Sequence, residues 1–341
     1  MVKLPILNLD VLADGDALAV TPDAPVPSAR SLSDAALVKS TERITGQSSL
    51  TSAITGRARR HYKPSTATGL TAREYHVLRI LDCYGWCTPE MVWHIANFHG
   101  VPWSGKGKVV YRLLWRLHEL GLVVSRKLNE GTRAIAYAAT QDGMAYVRGC
   151  GDGLLCDTNA IKDPASIFHF VELNRIMLRF VRQFSVHYWM TDFQVRSDNS
   201  LVGAAGLAKD YDSVIELVLP TGHVRFAVEY ERWQQSSRRY AKVCASLASE
   251  KYLHMVIFFL ERPGLLKSIA PHFKRLRGFV CFVDCGQFLT KGASAIANYW
   301  YMDRLFEAPL RSVFEHHSHR ALLKYLPSHQ LILRPHPRSL G

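Results

Sequence analysis

The sequence lacks the features that mark several classes of protein. Its seven cysteines, an odd number in 341 residues, show no paired C-x2-C spacing, which argues against both a disulfide framework and a structural zinc site. The N-terminus has no basic segment followed by an apolar run, and no uninterrupted apolar stretch is long enough to span a bilayer. We therefore expect a cytoplasmic protein without membrane insertion.

Acidic residues are also few in comparison with basic ones. The chain has 29 aspartates and glutamates against 42 lysines and arginines, which gives a formal net charge of +13. Such a surplus favours a polyanionic partner such as nucleic acid, although many cationic soluble proteins bind none. Hydrophobic residues make up 48% of the chain, enough for real cores in two or three domains. The composition predicts a globular protein with nucleic acid as a candidate partner.

Changes in residue pattern divide the chain into five segments. The first lacks periodicity and ends in a basic stretch, which predicts a flexible arm. A Gly- and Asp-Pro-containing stretch indicates a linker between two folded domains. The predicted segments are an N-terminal arm (1–66), a helical domain with a hairpin (67–148), the linker (149–164), an α/β domain (165–290) and a C-terminal extension (291–341).

The helical domain has the element order of a winged helix-turn-helix. Thr71 and Glu74 form a capping-box pattern at the first of three amphipathic helices, and Gly121 follows the third. Two strand-like runs, 122–127 and 133–138, then surround an Asn-Glu-Gly-Thr turn. Three helices followed by a hairpin is the order of this DNA-binding motif.

The third helix carries a basic stripe that favours DNA binding. Its cations recur every four residues opposite an apolar face, so the helix can pack on its domain while it faces DNA phosphates. A solvated helix face or a protein-contacting winged helix is the alternative. The predicted DNA-binding residues are Lys106, Lys108, Arg112 and Arg116, with Arg126, Lys127 and Arg133 on the wing.

The second domain alternates strand-like and helical patterns. A long helix is predicted at about 166–184, and shorter ones at 236–248 and 265–276. This order describes an α/β sandwich whose first strands form a meander and whose later strands are joined by crossovers. The strand-like runs lie at 189–195, 212–218, 224–231, 254–260 and 279–283.

Two carboxylates one residue apart, Glu229 and Glu231, are the most informative feature of this domain. Alternate residues of a strand share a face, so both lie opposite an apolar face of the strand. A loop centred on Pro220 and Thr221 places Asp212 opposite Glu229. A two-residue loop shifted by one position pairs Asp212 with Glu231 instead, whereas a three-residue loop puts the acids on opposite faces.

Three clustered acids predict a metal site. Like charges across a strand pair destabilise a sheet, so the arrangement is sensible mainly when a hard, oxygen-ligated cation such as Mg²⁺ or Mn²⁺ neutralises it. The predicted ligands are Asp212, Glu229 and Glu231. The alternative is a hairpin with one solvated face, on which the acids meet only water.

The order of helix, Asp on one strand, Glu-x-acid on the next strand and helix resembles the PD-(D/E)xK restriction-endonuclease core. In this chain the core follows a winged helix, and the second domain opens with the segment His169-Phe170-Val171-Glu172-Leu173-Asn174. This combination is similar to the replication-relaxation family, which includes the C-class mobilisation relaxases of plasmids. The resemblance covers roughly residues 70 to 285 through short motifs. It implies a multidomain α/β protein, with a winged helix-turn-helix followed by a restriction-endonuclease-like α/β/α domain that has a mixed sheet.

The resemblance also implies roles for individual residues. Asp212 matches the metal-ligating Asp, and Glu229 matches the first acid of the second strand. Glu231 stands where most nucleases of this fold carry Lys, a departure that a degenerate, non-cutting domain would also show; Arg239 and Lys242 are candidates for the missing positive charge. Glu172 matches a position that often adds an acid to the metal site, and His169 shares its helix face. Pairing of Glu172 with a nearby arginine and simple packing of His169 are the alternatives.

The function that the resemblance implies is metal-dependent nicking of double-stranded DNA at a plasmid or mobile-element origin of transfer or replication. Relaxosome or replication proteins and a second copy of the chain are expected partners. Two alternatives stay open. One is a DNA-binding regulator of replication or transcription with a degenerate nuclease fold, and the other is a restriction-type endonuclease that cuts both strands.

Overall fold

The computed structural model describes residues 69–101, 107–128, 134–151, 164–203, 206–276, 278–301 and 303–318. Within these residues the chain is mixed α/β, with ten α-helices, a two-stranded sheet and a seven-stranded sheet. The expected arm (1–66) and most of the expected linker (149–164) lie outside the described residues, as do Lys106 and Arg133. No helix of the described part is long and apolar enough to cross a membrane.

Short helices and one hairpin form the first part of the described chain. The Thr71 capping box is present: the Thr71 backbone N–H donates to the Glu74 carboxylate at 2.8 Å, and the Glu74 N–H donates to the Thr71 hydroxyl at 3.3 Å. The elements are α1 (Ala72–Tyr84), α2 (Pro89–Phe98), α3 (Lys108–Glu119), the antiparallel strands β1 (Val123–Lys127) and β2 (Ile135–Ala139), and α4 (Gln141–Gly149). Helix α4 was not predicted from the sequence.

The second part is built on the seven-stranded sheet. Its elements are α5 (Pro164–Gln183), β3 (Ser185–Thr191), α6 (Asp192–Val202), β4 (Ser213–Leu219), β5 (Gly222–Glu231), α7 (Ser237–Ala248), β6 (Met255–Leu260), α8 (Leu265–Ile269), β7 (Val280–Asp284), α9 (Cys285–Lys291), β8 (Ile296–Tyr301), β9 (Arg304–Pro309) and α10 (Leu310–His317).

The strands follow one another in chain order across the sheet, from β3 to β9. Strands β5, β6 and β7 are parallel, and the other neighbouring pairs are antiparallel, so the sheet is mixed. The predicted meander and the two later crossovers are therefore present. Strands β8 and β9 and helix α10 come from the segment that we expected to be a C-terminal extension, so the sheet continues beyond residue 290.

One predicted strand, 189–195, is wrong in its second half. Strand β3 ends at Thr191, and helix α6 begins at Asp192. Thr191 and Gln194 form a capping box there, in which the Thr191 N–H donates to the Gln194 side chain at 2.8 Å. The predicted helix at 265–276 is also shorter than expected, since α8 ends at Ile269 and a 3₁₀ turn follows over Ala270–Phe273.

Both faces of the large sheet are covered. Helices α5, α9 and α10 enclose one core, in which the rings of Phe226 and Phe314 stack with centroids 4.8 Å apart. Helices α7 and α8 cover the other core, around Phe258 and Phe273. The first core continues into the N-terminal helices. There the buried Asn174 amide donates to the backbone carbonyls of Tyr84 and Trp86 at 3.1 and 3.0 Å.

Candidate functional site

The β4–β5 hairpin has the register that brings the predicted acids together. Leu219 pairs with Gly222 across a two-residue turn, and Ser213 pairs with Val228. The next position along places Asp212 opposite Glu229, as a loop centred on Pro220 and Thr221 requires. Asp212 is fixed there by the backbone N–H of Tyr230, which donates to its Oδ2 atom at 2.7 Å.

Glu229 and Glu231 lie on the face of β5 opposite its apolar residues, as alternation predicts. Val224, Phe226, Val228 and Tyr230 all belong to the core under α5. The alternative of a solvated acidic face is not what the chain forms, because Glu231 is only 9% exposed and the side chain of Glu229 only 12%. Burial close to like charges makes these carboxylates costly to keep ionised.

The register of β4 and β5 places the three acids together, and their pKa values reflect this. Burial raises the pKa of Glu229 to about 7, and the charges of Asp212 and Glu231 act in the same direction. Burial and the charge of Asp212 likewise raise the pKa of Glu231 above its ordinary value, against the opposing charge of Arg239. Mutual destabilisation of this kind requires proximity. The structure therefore brings Asp212, Glu229 and Glu231 into one cluster.

Lys209 is a residue of this cluster that sequence analysis missed. It lies in the loop before β4, and its ammonium donates to the Oε1 atom of Glu229. The Lys209 Nζ atom also lies 5.0 Å from the centre of the Tyr211 ring. This lysine supplies a positive charge beside the first acid of β5. Of the two predicted sources of that charge, Arg239 lies near enough to Glu231 to oppose the rise in its pKa, and Lys242 is exposed on α7.

His169 joins the cluster from helix α5. Its Nε2 atom lies 3.2 Å from Oδ1 of Asp212. Burial lowers the pKa of His169, but the charge of Asp212 and the hydrogen bond with it outweigh burial, so the pKa lies above its usual value. Burial raises the pKa of Asp212, and the same imidazole reverses that effect and holds the pKa low. The pair is thus stabilised as imidazolium and carboxylate.

Asp192, the first residue of α6, is a second member that sequence analysis missed. It accepts a hydrogen bond from Arg196 at 2.8 Å and is 4% exposed. Burial, with the nearby charge of Asp212, raises the pKa of Asp192 to about 7. The capping-box pattern of Thr191 and Gln194 was a signal that could have placed this acid at a helix start.

Glu172 lies with a different set of charges. Arg175 donates to its carboxylate at 2.6 Å, and the other charges that affect it are those of Glu261 and Arg232. Burial raises the pKa of Glu172, partly offset by Arg175. The structure thus gives Glu172 the arginine partner that the sequence left as the alternative, and does not join it to Asp212.

The cluster fits a hard divalent cation by its donor chemistry, because carboxylate oxygens are the ligands that Mg²⁺ and Mn²⁺ prefer. Its side chains are engaged with one another, however. Lys209 contacts Glu229, and His169 contacts Asp212. Over the described ranges, no three His, Cys, Asp or Glu side chains form a group that could hold a metal ion as they stand. Binding of a cation by Glu229 therefore requires Lys209 to move aside.

The basic residues of the N-terminal part divide into two kinds. Lys108 and Arg112 on α3, and Arg126 and Lys127 on β1, are exposed. Arg116 instead turns inward, where its Nη1 atom lies 3.0 Å from Oε1 of the buried Glu74.

The exposed face of α3 also carries two aromatic side chains that sequence analysis did not single out. Tyr111 is 54% exposed and Trp115 is 43% exposed. They lie four residues apart and alternate along the helix with Lys108 and Arg112, so this face is both basic and aromatic.

Comparison of the chain with protein-family models, with curated proteins and with solved structures finds no match. The resemblance to the replication-relaxation family therefore stays a prediction that rests on the motifs quoted above. What the chain itself provides is a buried cluster of four carboxylates with a lysine and a histidine, at the edge where α5, α6 and the β4–β5 hairpin meet.

Proposed function

We propose that this protein binds DNA through its N-terminal helices and cleaves one strand of it at the Asp212–Glu229 cluster in a metal-assisted reaction. In this proposal α1 to α3 and the β1–β2 hairpin form a winged helix-turn-helix, and the large sheet with its helices forms a restriction-endonuclease-like domain. One observation carries the proposal: Lys209 meets Glu229 beside Asp212. Most nucleases of this fold combine two acids and a lysine at the active site. In this chain Glu231 occupies the usual position of the lysine, and Lys209 supplies the ammonium group from the loop before β4.

The acids would hold the cation. Mg²⁺ or Mn²⁺ held by Asp212 and Glu229 would supply polarisation of a phosphate oxygen and a more acidic water. Glu231, whose pKa is raised by burial, is placed to accept a proton from attacking water. Lys209, displaced from Glu229, is placed to stabilise negative charge on the phosphate.

His169 has the properties of a proton donor. The charge of Asp212 and the hydrogen bond with it raise the pKa of His169 against the effect of burial, which favours the protonated imidazole. General acids act best when their pKa lies close to the working pH. We assign His169 to protonation of the leaving 3′-oxygen of the cleaved strand, with Asp212 as its orienting partner.

The exposed basic face of α3 supports DNA as the substrate. Lys108 and Arg112 are placed to contact phosphates, and the cations of β1 would extend these contacts along the duplex. Because Arg116 is paired with Glu74, we leave it out of the proposed DNA-binding set. Cleavage at an origin of transfer or replication would make relaxosome or replication proteins the partners.

A specific observation favours a second candidate, a DNA-binding regulator that does not cut. Lys209 and His169 already neutralise two of the acids, and Glu231 stands at the position of the usual lysine. A cluster balanced in this way can be a structural remnant of a nuclease site. The two candidates differ in one respect, since the regulator binds DNA with Mg²⁺ present and leaves it intact.

The test is a nicking assay on supercoiled plasmid that carries the cognate origin, with Mg²⁺, with Mn²⁺ and with EDTA. We expect wild type to convert supercoiled into open-circular DNA only with a metal. Asp212→Asn and Glu229→Gln keep side-chain shape and should lose at least about 100-fold in rate, as expected for removal of one charge-stabilising group.

Glu307→Gln is the matched control, because Glu307 is an exposed carboxylate on β9, and it should nick like wild type. Equal nicking by all four proteins would reject the site. Binding of the origin without nicking under any metal would favour the regulator, and linear product would favour a restriction-type enzyme.

A further inference from the structure

An exposed tryptophan makes two cation–π contacts just beyond the end of β5, and one of its arginine partners makes a third with a phenylalanine. Trp233 is 53% exposed. The guanidinium carbons of Arg232 and Arg262 lie 5.3 and 5.0 Å from the centre of its indole ring. Arg232 also lies 5.4 Å from the ring centre of Phe168. We call Phe168, Arg232, Trp233 and Arg262 the Trp233 patch.

The Trp233 patch borders the acidic cluster from two elements. Strand β5 ends at Glu231, so Arg232 and Trp233 are the next residues of the chain. Phe168 directly precedes His169 on α5. Arg232 and Phe168 thus each stand one residue from a member of the acidic cluster, which makes the patch a neighbouring surface for a strand bound there.

The chemistry of the patch suits an unpaired nucleic-acid strand. Indole and guanidinium groups offer flat faces on which exposed bases stack, and guanidinium N–H groups also bind phosphates. Three further exposed cations, Arg238, Arg239 and Lys242, follow on helix α7. Glu172 lies near enough to Arg232 for the guanidinium to lower its pKa, and Glu261, the residue before Arg262, accepts a hydrogen bond from the Tyr230 hydroxyl.

The patch differs from the exposed face of α3. There the aromatic side chains stand on a helix between cations, an arrangement that suits a groove of duplex DNA. At the Trp233 patch the ring belongs to the second residue after Glu231, where β5 ends. Paired bases in a duplex cannot stack on a side chain unless they leave the helix, so a stacking surface at this place favours DNA whose strands have separated.

We propose that the Trp233 patch binds single-stranded DNA and holds an unpaired strand beside the acidic cluster. The role in strand positioning rests on the proposed function, because it assumes that the neighbouring cluster is where the strand is cleaved. The binding itself is a property of the patch and can be measured without cleavage.

The test measures fluorescence anisotropy of fluorescein-labelled oligo-dT of about 12 nucleotides, within the usual range of single-strand site sizes. Full-length Asp212→Asn is the reference protein, so that cleavage does not interfere, and a duplex is measured in parallel at the same salt concentration. Added to this background, Trp233→Ala should weaken single-strand binding about 10-fold, since stacking on one aromatic ring contributes that much. Trp233→Phe should recover most of the affinity, because it keeps an aromatic face.

Two further proteins make the result specific. Arg262→Gln should weaken binding and reduce the salt slope by about 0.7, the value for one phosphate contact on a single strand. Phe306→Ala is the control, because Phe306 is an aromatic side chain on β9 with 41% exposure, and it should bind like the reference. Circular dichroism checks that every variant is folded.

Equal binding by Trp233→Ala and Phe306→Ala would overturn the inference, and so would an equal loss on duplex and single strand. Trp233-dependent binding by a wild-type protein that never nicks would reject cleavage and leave the single-strand site standing. Nicking by a Trp233→Ala protein at the wild-type rate, with unchanged single-strand affinity, would reject the patch and leave the proposed function intact.

Discussion

The imidazole of His169 and the carboxylate of Asp212 form a partly buried pair in which Nε2 and Oδ1 lie 3.2 Å apart. The pair ties helix α5 to the start of β4, two elements that are 43 positions apart in the chain by residue number, 212 against 169. Because each group shifts the pKa of the other, the contact has measurable consequences.

Replacement of Asp212 by Asn should lower the pKa of His169. The carboxylate opposes the effect of burial on the imidazole, and an amide of the same shape carries no charge to do so. Proton–carbon NMR titration of the histidine ring signals measures this pKa, and loss of one signal in His169→Gln assigns it. A His169 pKa that is the same with Asp212 and with Asn at that position would show that the pair is not electrostatically coupled.

Replacement of Lys209 by Met should destabilise the protein more at pH 8 than at pH 6. Glu229 loses its cation and stays buried beside Asp212, and burial has raised its pKa to about 7. Removal of Lys209 raises the pKa of Glu229 further, because the lysine lowers it in wild type. Between pH 6 and pH 8 the folded variant therefore holds a proton that the unfolded chain has released, and its stability falls with rising pH more steeply than that of wild type. We expect a loss of about 2 kcal/mol in the free energy of unfolding at pH 8, as for a partner removed from a largely buried ion pair.

Urea unfolding at the two pH values measures the effect of Lys209→Met. Adding Glu229→Gln should restore most of the lost stability, because it removes the unpaired charge. Lys267→Met provides the control, since Lys267 is exposed on α8. A Lys209→Met loss that is independent of pH and survives in the double variant would assign the effect to packing of the lysine stem.

Asp192 should make the protein less stable as pH rises. Its pKa is about 7 in the folded chain against an ordinary value of 3.8, so between these values the folded state binds the proton more tightly than the unfolded state does. Stability that is present at low pH is therefore lost as pH rises through about 7. Asp192→Asn keeps an acceptor for Arg196 and removes this dependence.

The measurement is the difference in free energy of unfolding between Asp192→Asn and wild type at pH 5 and at pH 8. It should grow by about 2 kcal/mol in favour of the variant over this interval. Two stability curves that run parallel with pH would mean that Asp192 titrates normally.

Replacement of Arg116 should mainly reduce stability, whereas replacement of Arg112 should mainly weaken DNA binding. Arg116→Ala leaves the carboxylate of Glu74, which is 1% exposed, without its cation, and should reduce stability by about 2 kcal/mol. Arg112→Ala removes an exposed side chain and should change stability by less than about 0.5 kcal/mol. In DNA binding, Arg112→Ala should weaken affinity and lower the salt slope by about 1.

Two measurements distinguish the roles of the two residues. Thermal or urea unfolding measures stability, and titration of labelled duplex at several salt concentrations measures DNA affinity and its salt slope. Arg116→Ala, where folded, should retain the wild-type salt slope. An unchanged slope in Arg112→Ala would remove the exposed face of α3 from the DNA-binding proposal.

Local patterns in the sequence were reliable where neighbouring residues decide the structure. The Thr71 and Glu74 pattern predicted the capping box that starts α1, and the register that sets Asp212 opposite Glu229 is one of the three that the Pro220–Gly222 turn left open. Alternation along β5 predicted which of its side chains are apolar core. In each case the determining interaction spans a turn of helix or a two-residue loop, so it can be seen in the sequence.

Predictions failed where the deciding contact is distant or the pattern is ambiguous. The apolar run 189–195 fits both a strand and a helix, and the cap at Thr191 decides for a helix from Asp192 onward. Arg116 belongs to a regular basic stripe, but its partner Glu74 lies on another helix. A stripe shows which residues share a face and not which face packs inward.

The sequence by itself determined the pairing of β4 with β5 and the common face of Glu229 and Glu231, because alternation fixes the two faces of a strand. It left several registers for Asp212, and the two-residue turn at Pro220 and Thr221 selects the one opposite Glu229. Only the tertiary structure decided which other charged residues lie next to these acids. Lys209 comes from a loop, His169 from α5 and Asp192 from the start of α6, and no periodic pattern links such positions. Their meeting depends on how helices pack against the sheet edge, and that packing sets the charge balance on which the proposed chemistry depends.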